Sequence, residues 1–499
     1  MEEKVNFINE SDNFAENFHE PFNKPKKIYS NVLDAIGNTP LIQINNITKK
    51  ENIECQILVK CDFFNPSGSA KDRAATRMVS DAEKKNLIKP HENFTLIEAS
   101  SGNTGIGLAL NAIVKGYKII CTLPKRMSQE KEDVLTAMGV KVIRCENVSR
   151  EHPLSNISIA KKMSVSPNMI NLDQYENKSN PMVHYDQTAE ELITQCDGKI
   201  DYFIVSPGTG GTMTGVSRKL KEKLPNVKII ATDPSGSILS RPESLNVGGY
   251  KKYKVEGIGQ PFIPGNVTYD CVDEWIKVDD KDAFVMARRL LKEEGLMVGG
   301  SSGLAFAGAI QYIKKNKIEK DKRVIVFFCD GIRNYLSTFL SDDWMIENNF
   351  MSKEEYDDAN YKDREDIKKR LPGKIADIKD KLNEANILKN IENINVRDLL
   401  KIFNEKKTNV ILVLNEKNEL LGYLSKKNVT CCLASCKVDL DSNVINVLTK
   451  DVRVLNLDDP LYFLSRALPR FDFLPIKIDN EKYLIIEYEN IYDFLSKEI

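Results

Sequence analysis

The chain has 499 residues, of which 41% are hydrophobic and 29% charged, and its formal net charge is −1 at pH 7. This length predicts two or three domains, and the near-neutral charge argues against nucleic acid and anionic membranes as partners. No apolar run approaches the ~20 residues of a membrane helix, and the acidic, polar N-terminus lacks the pattern of a secretory signal. We therefore expect a globular, cytoplasmic protein.

Strands and helices are predicted to alternate between residues 29 and 350, after a polar tail at residues 1–28. Short apolar runs predict strands at 56–60, 95–97, 118–122, 140–143, 202–205, 228–231 and 323–328. Helical patterns lie between them at 105–115, 129–138, 212–224 and 280–294. This order predicts an α/β domain with parallel sheets covered by helices. Ligands of such folds bind in the loops that follow the carboxyl ends of the strands.

The composition changes after residue 350. Residues 351–390 are rich in Lys, Asp and Glu, which predicts a charged helical linker. Beyond it a pattern recurs. A helix at 396–403 and strands at 409–414 and 420–424 are followed by a helix at 461–468, strands at 473–478 and 483–486, and a helix at 490–496. Two weak copies of about fifty residues predict a tandem α+β module at 391–499.

Lys71 closes a loop of small residues and begins a predicted helix. A lysine that forms a Schiff base needs a tight backbone, little side-chain bulk and a pocket that lowers its pKa. A lone lysine in such a loop is most often a solvated surface residue. Three further loops, at 100–105, 208–212 and 299–303, change this interpretation. Together the four loops offer pyridoxal phosphate an amine, a phosphate cradle, a ring contact and a carboxylate site for its amino-acid substrate.

The loop at 208–212 is the predicted phosphate cradle. It follows a strand and precedes a helix, so its glycines let the backbone approach the phosphate while the helix N-terminus supplies free N–H groups. A plain strand-to-helix turn is the alternative. The predicted phosphate ligands are Gly208, Thr209, Gly210, Gly211 and Thr212.

The loop at 100–105 is placed in the same way and suits a carboxylate. Ser101 and Thr104 are predicted to donate hydroxyl hydrogens to it, and Asn103 to reach the phenolic oxygen of the cofactor. An N-capping turn without a ligand is the alternative. Ser301 is the candidate contact to the pyridine nitrogen. A hydroxyl there leaves the ring largely unprotonated, which suits β-elimination through an aminoacrylate.

The ten cysteines contain no Cys-x-x-Cys pair, and most are expected to be small buried side chains. The cluster of Cys431, Cys432 and Cys436 could be redox-active or bind a metal, although burial is the favoured interpretation. The four histidines are too scattered for a zinc site. No metal site is predicted.

Further motifs give a resemblance to a known family. They lie at 36–40 (Ile-Gly-Asn-Thr-Pro), 173–175, 184–189, 195–198, 256–259 and 333–335. With the four loops they make the chain similar to the fold-type II pyridoxal-phosphate β-replacement enzymes and, within them, to the cystathionine β-synthases. The resemblance covers about residues 28–350. It implies a catalytic domain of two parallel-sheet α/β subdomains at 29–350, joined by the linker to tandem CBS domains at 391–499.

The resemblance also implies a reaction and further site residues. The reaction is the condensation of L-serine with L-homocysteine to L-cystathionine and water, in a homodimer or larger homo-oligomer, with Lys71 as the Schiff-base lysine. Ser100 and Gln174 join the predicted carboxylate contacts, and Tyr175 and Gly257 are expected near the substrates. Ser100 stands where the family usually has threonine. The hydroxyl is kept, so we expect a small effect.

Two alternative functions remain at this point. A cysteine synthase that uses O-acetylserine and sulfide would share all four loops. A catalytically inactive CBS-domain scaffold would not need Lys71 together with three complete pocket loops, which argues against it. Family members can also release hydrogen sulfide from cysteine, so this side activity is a further hypothesis.

Two ligands of some family members are not expected here. Animal members hold an N-terminal haem with a Cys and a His; His19 stands at about the matching distance, but no cysteine precedes Cys55, so we predict no haem. CBS domains often bind adenosyl ligands through an Asp. Asn428 and Asn490 stand at the matching positions, and Glu487 replaces a hydroxyl. We therefore predict weak or absent S-adenosylmethionine binding, with the module making dimer or tetramer contacts.

Overall fold

The computed structural model describes residues 28–487, except residues 101, 125–128, 147, 353–354, 356–370, 435–437, 450–451, 453, 465–472 and 480–481, and also describes Asn490. It divides into two compact units, Met1–Ser341 and Asp342–Ile499. No helix among the described residues is long and apolar enough to cross a membrane.

The first unit contains ten strands in its described part. They are β1 (Leu41–Gln43), β2 (Gln56–Cys61), β3 (Thr95–Ala99), β4 (Lys118–Pro124), β5 (Lys141–Cys145), β6 (Met169–Asn171), β7 (Tyr202–Val205), β8 (Lys228–Pro234), β9 (Glu274–Val278) and β10 (Arg323–Phe328). The described α-helices of this unit are α1 (Asn46–Lys50), α2 (Lys71–Lys84), α3 (Asn103–Lys115), α4 (Gln129–Ala137), α5 (Asn156–Met163), α6 (Ser179–Val183), α7 (Ala189–Gln195), α8 (Gly211–Lys223), α9 (Asp280–Glu294) and α10 (Gly300–Asn316). A π-helical turn, His184–Thr188, lies between α6 and α7.

These strands form two sheets, as the α/β pattern predicts. One sheet has the order β1-β2-β10-β7-β8-β9 and the other β5-β4-β3-β6. All neighbouring strands are parallel except β1, which pairs antiparallel with β2. The four-stranded sheet is therefore parallel, and the six-stranded sheet is parallel except for its edge strand β1, with helical connections that cover their faces. This confirms the predicted fold class of two parallel-sheet α/β subdomains.

Each sheet has its own apolar core. The six-stranded sheet packs Phe203, Val205 and Ile229 against Met213 and Val216 of α8. The four-stranded sheet packs its strands against α2 and α3, and Leu96, Cys121, Met78 and Leu108 are among the buried side chains. Central strands buried on both faces are nearly continuous apolar runs, which is why the sequence identifies them well. The short strands β1, β6 and β9 carry mixed sequences, and the apolar runs did not indicate them.

The second unit begins with helix α11 (Asp342–Glu347). Its further described elements are β11 (Asn383–Glu384), β12 (Ile387–Lys389), α12 (Val396–Glu405), β13 (Val410–Leu414), β14 (Leu420–Ser425), α13 (Lys426–Ala434), β15 (Leu455–Asn456), β16 (Phe473–Lys477) and β17 (Tyr483–Glu487). The predicted helices at 461–468 and 490–496 lie largely outside the described residues. The described start of the first is a short 3₁₀ helix at Leu461–Phe463.

The strand pairings of the second unit repeat. In one sheet β12 pairs parallel with β13, which pairs antiparallel with β14. In the other, β15 pairs parallel with β16, which pairs antiparallel with β17. A common apolar cluster joins the two sheets through Val410, Leu412, Phe473 and Ile485. The two copies therefore share one topology and a buried face, as a tandem module requires.

The segment predicted as a charged helical linker, 351–390, differs in its second half. A 3₁₀ helix spans Ile375–Lys381, and β11 and β12 join the two sheets of the module. Ile375 and Ile378 are buried. The sequence pattern did not indicate these two buried isoleucines, because the lysines and acidic residues around them, which lie on the exposed face, dominate the composition.

Candidate active site

Lys71 is the first residue of α2, after a loop held against the end of β10. The amide of Ala70 donates to the carbonyl oxygen of Cys329 over 2.8 Å, and Ser69 forms a β-bridge with Asp330. The lysine side chain is half-buried. Burial lowers its pKa, although the nearby Cys329 and Asp330 oppose the shift. A lowered pKa is what a nucleophilic amine requires.

Hydrogen bonds join the predicted loops at 100–105 and 299–303 through Asp330 and tie Gln174 to the first of them. Asn103 Nδ2 donates to Asp330 Oδ2 over 2.8 Å, and Ser301 Oγ donates to Asp330 Oδ1 over 3.4 Å. Thr104 Oγ1 donates to Gln174 Oε1 over 2.6 Å. The structure thus brings together residues that are up to about 230 positions apart in the sequence.

The loop before α3 contains most of the predicted carboxylate contacts. Ser100 is buried, and its Oγ accepts hydrogen bonds from the amides of Gly102 and Gly105 over 3.0 and 3.2 Å. Its hydroxyl hydrogen therefore remains available to a ligand. Gln174 Nε2 donates to the carbonyl oxygen of Ala99 over 3.2 Å, which ties Gln174 to the same loop. The prediction for Ser101 lies outside the described residues.

Tyr175 and Gly257 mark the predicted substrate side of the site. The Tyr175 ring packs edge-on against Phe262 with centroids 5.4 Å apart, and the guanidinium of Arg150 lies over the Phe262 ring at 4.4 Å. Gly257 has φ +84°, and a side chain at this position would meet no neighbouring atom within 4 Å. The backbone conformation, not the available space, therefore favours glycine at position 257.

The loop at 208–212 leads into α8, whose first residue is Gly211. A Cβ on Gly208 would collide with the carbonyl oxygen of Gly257, and one on Gly211 would collide with Asn180. Gly210 has φ +88°. The backbone here is thus free of side-chain bulk at the N-terminus of a 13-residue helix. Such a cradle fits a phosphate group, because unpaired N–H groups and the helix dipole both attract anions.

His184 supports this cradle through Thr212, a role that the sequence analysis did not predict. It lies in the π-helical turn, and its Nε2 is 3.1 Å from Thr212 Oγ1 while its Nδ1 is 3.0 Å from Thr188 Oγ1. Burial lowers the pKa of His184 to about 3, so the ring is neutral at pH 7. A neutral ring can donate one hydrogen bond and accept another, which fixes the orientation of Thr212.

We expect His184 to make the protein less stable in mild acid. Its pKa is lowered from 6.5 on folding, so its contribution is complete above about pH 6.5 and is lost as the pH falls towards 3. Between pH 7 and pH 5 the loss is about 2 kcal/mol. In urea unfolding, the free energy of unfolding of His184→Gln should fall between pH 7 and pH 5 by about 2 kcal/mol less than that of the natural protein. An equal fall in both proteins would contradict the lowered pKa of His184.

Ser301 is the second residue of α10, and its hydroxyl has two close partners. Its Oγ is 3.0 Å from Cys329 Sγ and 3.4 Å from Asp330 Oδ1. Burial raises the pKa of the Cys329 thiol to about 12, so the thiol keeps its proton at pH 7. The S–H group can then donate to Ser301 Oγ, whose own hydrogen goes to Asp330 Oδ1 over a long 3.4 Å contact. A ring nitrogen beside Ser301 would take that hydrogen in place of Asp330.

Asp330 is the central residue that sequence reasoning missed. Besides Asn103 and Ser301 it accepts a hydrogen bond from Tyr335 OH over 2.6 Å. Asn334 Nδ2 donates to Asn103 Oδ1 over 3.1 Å, which fixes the amide orientation. One amide hydrogen of Asn103 therefore goes to Asp330, and the second can reach a phenolic oxygen. A strand end followed by Cys-Asp-Gly was the available signal.

An ion-pair network lies beneath the lysine loop. Arg73 Nε is 2.7 Å from Asp62 Oδ2, and Arg73 Nη1 is 2.6 Å from Glu191 Oε1. Lys60 Nζ is 2.6 Å from Glu191 Oε2. The side chains of Lys60, Asp62 and Arg73 have no exposed surface. These contacts anchor α2, and with it Lys71, to the six-stranded sheet.

The described residues fit pyridoxal phosphate. A half-buried lysine with a lowered pKa, a glycine cradle at a helix N-terminus and the buried hydroxyl of Ser301 are the donor set that this cofactor needs. The same residues contain no group of three or more His, Cys, Asp or Glu side chains that could hold a metal. His19 and Cys436 lie outside the described residues. The absence of haem and the role of the cluster of Cys431, Cys432 and Cys436 therefore stay predictions.

Comparisons with known proteins agree with this site. Residues 32–330 match the family described as pyridoxal-phosphate dependent enzyme. Cystathionine beta-synthase of Mus musculus is 42% identical over 453 residues, which are 90% of this chain and 78% of that protein. Cystathionine beta-synthase of Dictyostelium discoideum is 53% identical over 331 residues, which are 66% of this chain and 65% of that protein.

A solved structure is also similar. A hydrogen sulfide-producing enzyme from Fusobacterium nucleatum has a TM-score of 0.57 and 37% identity, and the match covers 62% of this chain and 100% of that chain. Fold and site thus define a fold-type II enzyme that depends on pyridoxal phosphate. The chain belongs, more narrowly, to the cystathionine beta-synthase family, since the mouse relative matches it across both units.

Proposed function

We propose that this enzyme joins L-serine to L-homocysteine and releases L-cystathionine and water. The bond between serine Cβ and its hydroxyl oxygen breaks, a bond between Cβ and the homocysteine sulfur forms, and the hydroxyl leaves as water with the thiol proton. The single observation that carries the proposal is the meeting of three predicted loops at Asp330, which is bridged to Ser69 in the lysine loop and accepts hydrogen bonds from Asn103 and Ser301.

When bound, pyridoxal phosphate supplies an aldehyde for the amino group and a ring that withdraws electrons from Cα. We assign the phosphate to Gly208, Thr209, Gly210, Gly211 and Thr212. When the cofactor is bound, Asn103 would contact its phenolic oxygen and Ser301 its ring nitrogen. The buried Cys329 thiol supports the second assignment, because it occupies the acceptor side of Ser301 Oγ.

Lys71 is the catalytic residue of the proposal. Its lowered pKa favours the neutral amine, which can attack the aldehyde and accept the Cα proton of serine. The same amine, once protonated, can donate to the departing hydroxyl. Position supports both roles, since Lys71 lies at the loop that is bridged to Asp330.

The substrate carboxylate is assigned to the N-terminus of α3. Ser100, Ser101 and Gln174 supply donors, and Thr104 would turn its hydroxyl hydrogen from Gln174 to the carboxylate. Tyr175 and Gly257 face the reacting side chains. Ser100 supports this assignment, because its oxygen accepts two backbone hydrogens and leaves its own hydrogen free. A buried carboxylate at a helix N-terminus is stabilised by the dipole as well as by these hydrogen bonds.

A rate comparison tests the reaction. Purified protein is supplied with pyridoxal phosphate and either L-serine plus L-homocysteine or O-acetylserine plus sulfide, and cystathionine and cysteine are quantified. Faster cystathionine formation is expected. The reverse ranking would make the protein a cysteine synthase, and loss of both reactions would leave the scaffold alternative. Cysteine plus homocysteine should also release sulfide; its absence would remove that side activity.

The quaternary state and location are part of the proposal. We infer a homodimer or larger homo-oligomer in the cytoplasm, with no nucleic acid or membrane partner. Seven described cysteines of the catalytic unit are free thiols, which agrees with a reducing compartment; they are Cys55, Cys61, Cys121, Cys145, Cys196, Cys271 and Cys329. Light scattering of the purified protein tests the oligomer, and a mass equal to one chain would contradict it. We expect no Soret band in the same sample.

We expect S-adenosylmethionine to bind weakly and to change the rate little. Asn428 Nδ2 donates to the carbonyl oxygen of Val447 over 2.8 Å, and Asn490 Nδ2 donates to that of Lys381 over 3.1 Å. An amide used in this way offers a ribose diol less than a free carboxylate would. Calorimetry should therefore find no dissociation constant below about 0.1 mM. Micromolar binding would contradict the prediction.

A further inference from the structure

A buried ion pair borders the site and has no role in the proposals so far. Lys131 of α4 pairs with Glu256, the residue before Gly257. The Lys131 side chain is 2% exposed and that of Glu256 18%. Two opposite charges with so little water around them are costly unless each is satisfied by the other.

Contacts place this ion pair against the catalytic loops. The Lys131 ammonium lies 4.9 Å from the centre of the Tyr335 ring, and Tyr335 OH donates to Asp330. A Cβ on Gly102 would collide with the methylene chain of Lys131, so only hydrogen separates this lysine from the loop before α3. The pair therefore lies between the proposed carboxylate site and the open side of Gly257.

We propose that Lys131 and Glu256 form the subsite for the charged end of the second substrate, a zwitterionic amino thiol. This inference rests on the proposed function. Glu256 would accept hydrogen bonds from the substrate ammonium, and Lys131 would donate to the substrate carboxylate. A zwitterion brings one charge of each sign, so the two side chains exchange one partner for another without leaving a buried charge unpaired.

The subsite separates two kinds of sulfur nucleophile. Homocysteine carries a thiol and both charged groups, whereas sulfide carries no charged end group that could pair with Lys131 and Glu256. The ion pair can therefore strengthen the binding of an amino thiol and adds nothing for sulfide. The Glu256 side chain is more exposed than that of Lys131, so the substrate would enter from the side of Glu256.

A charge exchange tests the inference. In the double variant Lys131→Glu/Glu256→Lys the ion pair is kept but its direction is reversed. At saturating L-serine, we expect KM for homocysteine to rise at least about ten-fold and KM for sulfide to change less than about three-fold. Lys131→Arg, which keeps the charge in place, should stay within about three-fold of the natural protein for both nucleophiles.

The outcomes separate this inference from the proposed function. Equal changes in KM for homocysteine and sulfide would show a purely structural ion pair and would overturn the inference. Failure of the natural protein to form cystathionine would overturn the proposed function itself. The single variant Glu256→Gln tests the inference in a second way. It removes the proposed acceptor of the substrate ammonium and leaves Lys131 in place, whereas the double variant introduces a new carboxylate at position 131. The same selective rise in KM is expected, and an unchanged KM for homocysteine in this soluble variant would also overturn the inference.

Discussion

Replacing Lys71 with alanine is expected to lower kcat/KM for cystathionine formation by about 10²- to 10⁴-fold. In the proposed function the amine attaches the cofactor and moves the Cα proton, and Lys71 begins α2 directly after the loop that is bridged to Asp330. Steady-state kinetics of Lys71→Ala measures the loss. Borohydride treatment of the natural protein, followed by peptide mass spectrometry, should place the reduced cofactor on Lys71.

A second lysine variant separates chemistry from charge. Lys71→Arg keeps a cation in the site but has a pKa too high to provide a neutral amine. We expect it to be as inactive as Lys71→Ala, while circular dichroism and the urea midpoint stay close to those of the natural protein. Activity above a tenth of the natural value in Lys71→Arg would contradict the assigned role. If borohydride reduction instead attached the cofactor to another lysine, that residue and not Lys71 would be the Schiff-base lysine.

The cofactor loops could be predicted because local geometry demands their residues. Gly208 and Gly211 leave no room for a Cβ, and Gly210 has a positive φ, so each glycine is required by its own backbone surroundings. Strand-to-helix turns of this kind are visible in sequence order alone. Seven of the ten strands of the two sheets could also be predicted, because burial makes the sequence of a central strand nearly continuously apolar; β1, β6 and β9 carry mixed sequences and were missed.

The supporting residues could not be predicted because their partners are distant in the sequence. Asp330 meets Asn103 across 227 positions, and Lys131 meets Glu256 across 125. His184 stood in a motif of the family resemblance, but its contact with Thr212 depends on how α8 packs against the π-helical turn. Charge and polarity alone suggest a surface position for all of these side chains. Only the folded chain shows that they are buried and paired.

Replacing Arg73 with methionine is expected to destabilise the catalytic unit by about 3–5 kcal/mol. Arg73 is the partner of both Asp62 and Glu191, and the side chains of Arg73 and Asp62 have no exposed surface. Methionine has nearly the right length but leaves the Asp62 carboxylate buried without its guanidinium. Urea unfolding monitored by circular dichroism measures the loss.

Arg77 provides the matched control, one turn further along α2. It pairs with Asp81 and Asp186, each over 2.8 Å, but its side chain is 25% exposed. Water screens such pairs, so Arg77→Met should cost only about 0.2–1 kcal/mol per pair. A loss in Arg77→Met equal to that in Arg73→Met would show that helix α2 merely tolerates methionine poorly.

The pH dependence gives the Arg73 prediction a second signature. Burial alone would raise the pKa of Glu191, but hydrogen bonds and charges from Arg73 and Lys60 outweigh it and lower the pKa to about 2. A lowered carboxyl pKa stabilises the fold above the unfolded value of 4.5, and this contribution is lost as the pH falls towards 2. In Arg73→Met, Glu191 keeps Lys60 and the amide of Asn38 but loses the guanidinium, so acid should destabilise this variant less steeply than the natural protein. An unchanged slope between pH 5 and pH 3 would mean that Arg73 is not what holds the Glu191 carboxylate in its charged form.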